Sequence, residues 1–165
     1  VALPQPVVAK VQGIATAAGC QLVASCDLAL AGASAKFATN GINNGLFCAT
    51  PAVAMSRTIA RKHALEILLT GDFISAERAA EIGLMNRCVA DSELDHEVTL
   101  LTRNLAAKSQ YALRLGKSSF ARQLNQPLDA AYRSASNDLV CNLMSADGIE
   151  GVDAFFEKRA PRWDN

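Results

Sequence analysis

Val11-Gln-Gly-Ile-Ala-Thr-Ala-Ala-Gly-Cys-Gln-Leu-Val-Ala-Ser-Cys-Asp27 passes from a β-branched start through a cluster of small residues into a helical apolar pattern. Small side chains let another group approach the backbone closely. The amides of a helix's first turn have no intrahelical acceptor and carry the positive end of the helix dipole. Such a turn can donate to an anion or a polarised carbonyl oxygen, or it can be a tight strand-to-helix connection that needs small residues for packing. The residues by themselves leave both readings open.

Working outward, Val7 to Val11 is a β-rich run after Pro4 and Pro6 that ends at Gly13, which predicts a short buried strand. A helix is expected over Ala17 to Cys26 and a second buried strand over Leu28 to Ala31, closed by Gly32. Together they form a strand-loop-helix-strand unit of the right-handed crossover kind. Phe37 to Asn44 is polar and rich in Asn and Gly, which predicts a loop or broken strand. Thr50-Pro51 predicts an N-cap followed by proline at the first helical position. Arg61 to Thr70 with Gly71 beyond it, and Ser75 before Ala76 to Ile82 with Gly83 beyond, read as two further helices, and Met85 to Val89 as the last strand. From Asp91 the pattern is helical: Glu93 to Lys108, Tyr111 to Leu124, Pro127 to Met144, and a final helix capped by Asp147 that ends before Pro161. The chain therefore divides into an α/β part over 1–90 and a helical region over 91–165. Leu94, Val98, Leu101 and Leu105 recur at helical spacing there, which serves a core or an oligomer interface equally.

Composition excludes several classes. The 165 residues suit one ordinary domain, and 16 basic residues balance 16 acidic ones, so no charge footprint for nucleic acid or an anionic membrane exists. The longest apolar runs are broken by Asp27, Glu66 and Gly71 well short of the ~20 residues of a membrane span, which predicts no membrane insertion. Val-Ala-Leu-Pro-Gln-Pro lacks the features of a signal peptide and an initiator Met, and reads as an internal starting point. Cys20, Cys26, Cys48, Cys88 and Cys141 form an odd set without a C-x-x-C pair, each among apolar neighbours, which suits buried thiols in a reducing compartment better than disulfides or zinc.

The opening run, a small-residue loop followed by a helix ending Cys-Asp-hydrophobic, resembles the signature of the crotonase (enoyl-CoA hydratase/isomerase) family. Ala35-Lys-Phe37, Gly45-Leu46, Leu68-Leu-Thr-Gly-Asp72, Ile74-Ser-Ala76, Ala79-Ala80, Gly83-Leu-Met-Asn86 and Phe155-Phe-Glu-Lys-Arg159 with Trp163 extend the resemblance over the whole chain. Gln21 to Asp27 and Gly45 to Cys48 look most like the enoyl-CoA hydratase domain-containing subgroup. The resemblance implies an α/β fold of the ClpP/crotonase-like kind, a spiral of ββα units with a helical C-terminal region that oligomerises into trimers or hexamers. Residues 1–90 would be the C-terminal part of the spiral core. It implies an acyl-CoA thioester as ligand, with coenzyme A entering as part of the substrate and no separate cofactor or metal. The thioester oxygen would be held, as it becomes enolate-like, by the Ala18 amide, with Ala17 and Gly19 shaping the turn. Leu46, Phe47 and Cys48 fall on the acyl-pocket segment, or are simply core. Phe155 and Lys158 fall where the C-terminal helix reaches the coenzyme A of a neighbouring subunit, although basic residues also gather at helix ends for dipole reasons. Localisation to the cytoplasm or the mitochondrial matrix fits equally.

The departures concern chemistry. The two glutamates that serve as acid and base in hydratases of this family map onto Gln21 and Gly41. Gln21 can orient a water but cannot take its proton near neutral pH, and Gly41 has no side chain. The family's pattern also places the second oxyanion donor in sequence ahead of the point where this chain starts. Two readings therefore stand: an enzyme of the hydratase/isomerase class, or a CoA-ester-binding pseudoenzyme or oligomeric interaction module. Asp27, Asp72 and Glu77 read as structural carboxylates and Glu66 as a solvated or ion-paired one. A Cys20 or Cys48 thiol paired with His63 or His96 is conceivable, since a helix start would lower the Cys20 pKa. His63, however, follows Arg61-Lys62 at a helix start and His96 lies in the charged Asp91 to Glu97 stretch, so solvent exposure explains both imidazoles more simply.

Overall fold

The computed structural model describes residues 3–164. By internal contacts they form two units, 7–102 and 3–6 with 103–164, the division falling inside one helix.

The first unit begins with β1 (Val8–Val11), β2 (Ile14–Thr16), α1 (Ala18–Ser25), β3 (Leu28–Gly32) and β4 (Lys36–Ala38). A 3-10 turn (Asn40–Asn44) leads to α2 (Ala49–Thr58) and α3 (Arg61–Thr70), then β5 (Ile74–Ser75), α4 (Ala76–Glu81), β6 (Arg87–Val89) and α5 (Leu94–Ala106), which crosses the division. The first four strands alternate between two sheets, β5 joins β4 in the second and β6 joins β3 in the first. One has the order β1-β3-β6, all parallel, with Val8 opposite Leu28 and Leu30 opposite Arg87. The other has the order β2-β4-β5, with Ile14 opposite Lys36 and an antiparallel β4-β5 pair. Each β-β-α segment thus lays one strand in each sheet and one helix across them, the winding the family resemblance implies.

The sequence explains the winding locally. Gly13, at φ 79°, makes the corner from β1 to β2. β3, Leu-Ala-Leu-Ala-Gly, is central in its sheet and is buried almost throughout, as a parallel strand covered on both faces requires. Phe37 and Met55 are fully enclosed and form the centre of the core with Ile67, Leu84 and Met85, and Leu30 is fully buried in β3. Polar side chains fix the strand ends: Asp27 accepts the Val7 N–H at 2.7 Å and Asn86 accepts the Ala29 N–H at 2.7 Å. Asp27 therefore does the structural work expected of it.

The second unit contains α6 (Gln110–Gln123), α7 (Leu128–Leu143) and α8 (Ala146–Phe156). Ser109 caps α6, accepting from the Ala112 N–H at 2.9 Å, and its hydroxyl donates to the buried Asp147 carboxylate. The final helix is capped by Ser145, which accepts from Gly148, and not by Asp147. Asp147 lies in the first turn of α8 and also takes the Asp164 N–H. The tail returns along α8: Trp163 lies where a Cβ on Gly151 would touch its ring, and it donates from its indole nitrogen to the Ala107 carbonyl. No helix among the described residues is long and apolar enough to cross a membrane.

Several expected bounds shift. β2 interrupts the predicted loop after Gly13, because a three-residue strand with Ile14 exposed carries too little period to show in sequence. Lys36–Ala38 is a strand where a loop or broken strand was the expectation. α2 starts at Ala49 with Cys48 in the cap position, so Pro51 lies in its first turn without being the first helical residue.

Candidate functional site

Ala17 has φ 46° and ψ −111°, the conformation of the first central residue of a type II′ turn, which ordinarily calls for glycine. Two bonds hold it there: its N–H donates to the Ala38 carbonyl at 3.0 Å, tying the turn to β4, and its carbonyl accepts the Gln21 N–H at 3.0 Å as the first bond of α1. The next residue, Ala18, is exposed, and its N–H has no acceptor among the described residues. Strained backbone thus presents a bare donor at a helix's positive end, backed by the small Gly19. This is the arrangement required for an oxyanion donor.

Gln21 lies one turn along α1 and lines a groove of about 440 Å³ against α2, together with Thr50, Val53 and Arg57. Gly41 lies in the 3-10 turn, its carbonyl accepting from the Leu46 N–H at 3.0 Å. A Cβ at position 41 would meet the Leu46 carbonyl oxygen at 2.7 Å and the Cys48 sulfur at 3.0 Å. The direction in which an acid would point is therefore filled by a carbonyl and a thiol. α3 moulds this turn. The fully buried Thr39 hydroxyl donates to the Ile67 carbonyl at 2.9 Å, and Gly71, at φ 69°, approaches Ile42 and Asn43 more closely than any Cβ would allow.

Leu46 and Phe47 are 69% and 48% exposed among the described residues, and Phe47 lines a second groove between α2 and α3. Cys48 is half-buried and faces Gly41; of the five thiols expected to be buried only Cys20 is fully so, Cys26 and Cys88 are half-buried, and Cys141 is exposed on α7. Cys20 does not behave as a helix-start thiol: burial, aided by the neighbouring Cys48, pushes it up to about 11, so it stays protonated. His63 sits beside Arg78 and Glu66 on the exposed side of α3, away from any thiol. Glu66 is exposed there, 3.9 Å from the His63 ring, within the solvated or ion-paired expectation. Glu77, in the first turn of α4, is held below the usual carboxylate range by backbone N–H at the helix start and by Ser75.

In the second unit Phe155 is 78% exposed and stacks edge-on with Phe156 at 5.8 Å. Lys158, at φ 54°, closes α8 in a left-handed cap with its side chain exposed. Arg159 is not available beside it, because its guanidinium grips both Glu150 oxygens, at 2.6 and 2.9 Å, and also binds Glu157. Lys158 has no ion-pair partner among the described residues, whereas Arg159 is consumed by Glu150 and Glu157. Thr50, Arg57 and Arg61 line the grooves without having been singled out in sequence, since each has a sufficient role at a helix end.

A ββα spiral with a bare amide at a strained helix entrance defines a protein of the ClpP/crotonase-like fold. The chain belongs to the enoyl-CoA hydratase/isomerase family, whose profile matches residues 1–165. It is 51% identical over 160 residues to the mitochondrial enoyl-CoA hydratase domain-containing protein 3 of Rattus norvegicus, covering 97% of this chain and 53% of that protein. It is 32% identical over 162 residues to the crotonyl-CoA hydratase of Syntrophomonas wolfei, covering 96% and 61%. An enoyl-CoA hydratase structure from Mycobacterium smegmatis superposes with a TM-score of 0.96 at 51% identity, over 99% of this chain and 63% of that one. The human enoyl-CoA hydratase domain-containing protein 3 superposes at 0.95 and 50% identity, over 97% and 63%. The subgroup expected from Gln21 to Asp27 and Gly45 to Cys48 is thus found, and the chain spans about half the length of the relatives it matches.

Proposed function

We propose that this protein binds acyl-CoA thioesters and polarises the thioester carbonyl with the Ala18 amide, acting in the hydratase/isomerase class of chemistry. The bare N–H beside strained Ala17 is the observation that carries this reading. Such a donor is worth ~10² to 10³ in rate. Ala17 and Gly19 shape the turn, Leu46, Phe47 and Cys48 border the acyl chain, and Phe155 and Lys158 meet coenzyme A from a neighbouring subunit. Apolar residues exposed on α7 and α8, such as Leu139, Val140, Phe155 and Phe156, support assembly into trimers or hexamers. Relatives named as mitochondrial favour the mitochondrial matrix over the cytoplasm.

A second reading rests on Gly41. With Gln21 unable to take a proton and the space beside Gly41 occupied, syn hydration lacks general acid-base help worth ~10² to 10⁴ per group. Binding without hydration follows from that geometry. The test is calorimetric titration of the full-length protein with acetyl-CoA and crotonyl-CoA, followed in the same sample by loss of the enone absorbance. Heat of binding is expected for both thioesters. Turnover would locate an acid and base elsewhere, absence of turnover would support a CoA-ester-binding pseudoenzyme, and absence of binding would reject the ligand class.

A further inference from the structure

The groove between α1 and α2 runs from Gln21 and Thr50 at one end to Thr58 and Arg57 at the other, a direction fixed by the Thr58 hydroxyl bonding the Ala24 carbonyl at 3.0 Å. Ala24, Val53 and Ala54 give it an apolar floor. The second groove, about 540 Å³ between α2 and α3, shares Val53 and Arg57 with the first, is walled by Phe47, Leu65 and Leu68, and adds Arg61. No carboxylate lines either groove. Arg57 commits one N–H to the Val53 carbonyl at 3.1 Å, which steadies its guanidinium, and Arg61 has no hydrogen-bond or ion-pair partner among the described residues. Two exposed guanidiniums therefore stand, without a counter-charge, where two aliphatic grooves meet. That local excess of positive charge favours an anionic group at the meeting point of the grooves.

The Thr50 end of the first groove adjoins Gln21, on the helix that Ala18 opens. From there to Arg57 α2 rises about 10 Å, a distance covered by a short run of methylenes. A guanidinium fork matches a carboxylate with two parallel bonds. We propose that these grooves select acyl thioesters whose far end carries a carboxylate, the monothioesters of dicarboxylic acids, with Arg57 reading the carboxylate and Arg61 assisting. This rests on the thioester being held at Ala18.

The test compares adipyl-CoA with hexanoyl-CoA, equal in chain length and differing in the terminal carboxylate, by calorimetric titration of the full-length protein. Adipyl-CoA is expected to bind at least about tenfold more tightly. Arg57→Ala should bring the ratio of the two affinities close to one, Arg57→Lys should recover part of it, and Arg61→Ala should reduce it less. Both arginines are exposed, and thermal melts confirm that each variant is folded. Hexanoyl-CoA binding with no preference for adipyl-CoA overturns the carboxylate reading alone. A preference that survives Arg57→Ala also overturns it, as does an equal weakening of both thioesters, which would assign Arg57 to the phosphates of coenzyme A. If neither thioester binds, this inference and the acyl-CoA reading beneath it both fall.

Discussion

At position 41 the backbone is turned so that a Cβ would press on the Leu46 carbonyl and the Cys48 sulfur. The carbonyl belongs to the turn and cannot rotate away, so Gly41→Ala is expected to cost about 1 to 3 kcal/mol, read as a lowered urea midpoint at unchanged slope. An unchanged midpoint would mean the turn yields freely. Sequence could place Gln21 and Gly41 at the acid positions but could not show that the space beside Gly41 is filled, because the contact is made by residues 46 to 48 folding back. Ala18 is reached only through the family resemblance, because small residues ahead of an apolar helix serve a packing turn equally. The positive φ of Ala17 was hidden, since alanine rarely adopts it and one of the two bonds that hold it there comes from Ala38, distant in sequence. Cys20 shows the limit of local reasoning about charge, since a thiol placed at a helix start is governed instead by the core that closes over it.

Elements with strong end signals were legible in sequence. α3 runs from Arg61 to Thr70 with Gly71 in the left-handed cap, and Ser75 caps α4 by accepting the Arg78 N–H, both as the residues indicate. β2, β4 and β5 were missed or blurred because strands of two or three residues show no alternation, and their pairing is imposed by the winding of the chain. α3 also acts at a distance from its ends. Through the Thr39 hydroxyl bonded to the Ile67 carbonyl, it holds the segment that carries Gly41. Thr39→Val keeps the shape and removes the donor, leaving a buried carbonyl one bond short, so a loss of about 1 to 2 kcal/mol is expected in thermal or urea melts. Hydrogen exchange should quicken locally at the amides of Gly45 and Leu46, and a global loss without that local change would show that Thr39 does not anchor the turn.

For the whole molecule, balanced charge conceals strong local pairs. The Arg159 side chain holds the Glu150 carboxyl at about 2, against an ordinary 4.5, and the Arg162 N–H adds to this. A depressed carboxylate pKa stabilises the folded form fully above the ordinary value and loses that contribution as pH falls toward the depressed one. Between pH 4.5 and 2 the tail should therefore loosen from α8, and Trp163, the single tryptophan, should report it by fluorescence. Glu150→Gln should show the loosened signal already at neutral pH, and a variant that keeps the wild-type spectrum would refute the clasp. The same uneven distribution leaves Arg57 and Arg61 bare while Arg159 is neutralised. The filled space at Gly41 bears, finally, on which substitutions such a site can accumulate and in what order. A single nucleotide separates some glycine codons from glutamate codons, yet that step is closed here until the backbone of 46 to 48 has first moved aside. The present arrangement is therefore easier to enter than to leave, and drift at this position is channelled toward the neighbours of Gly41 before it can reach Gly41 itself.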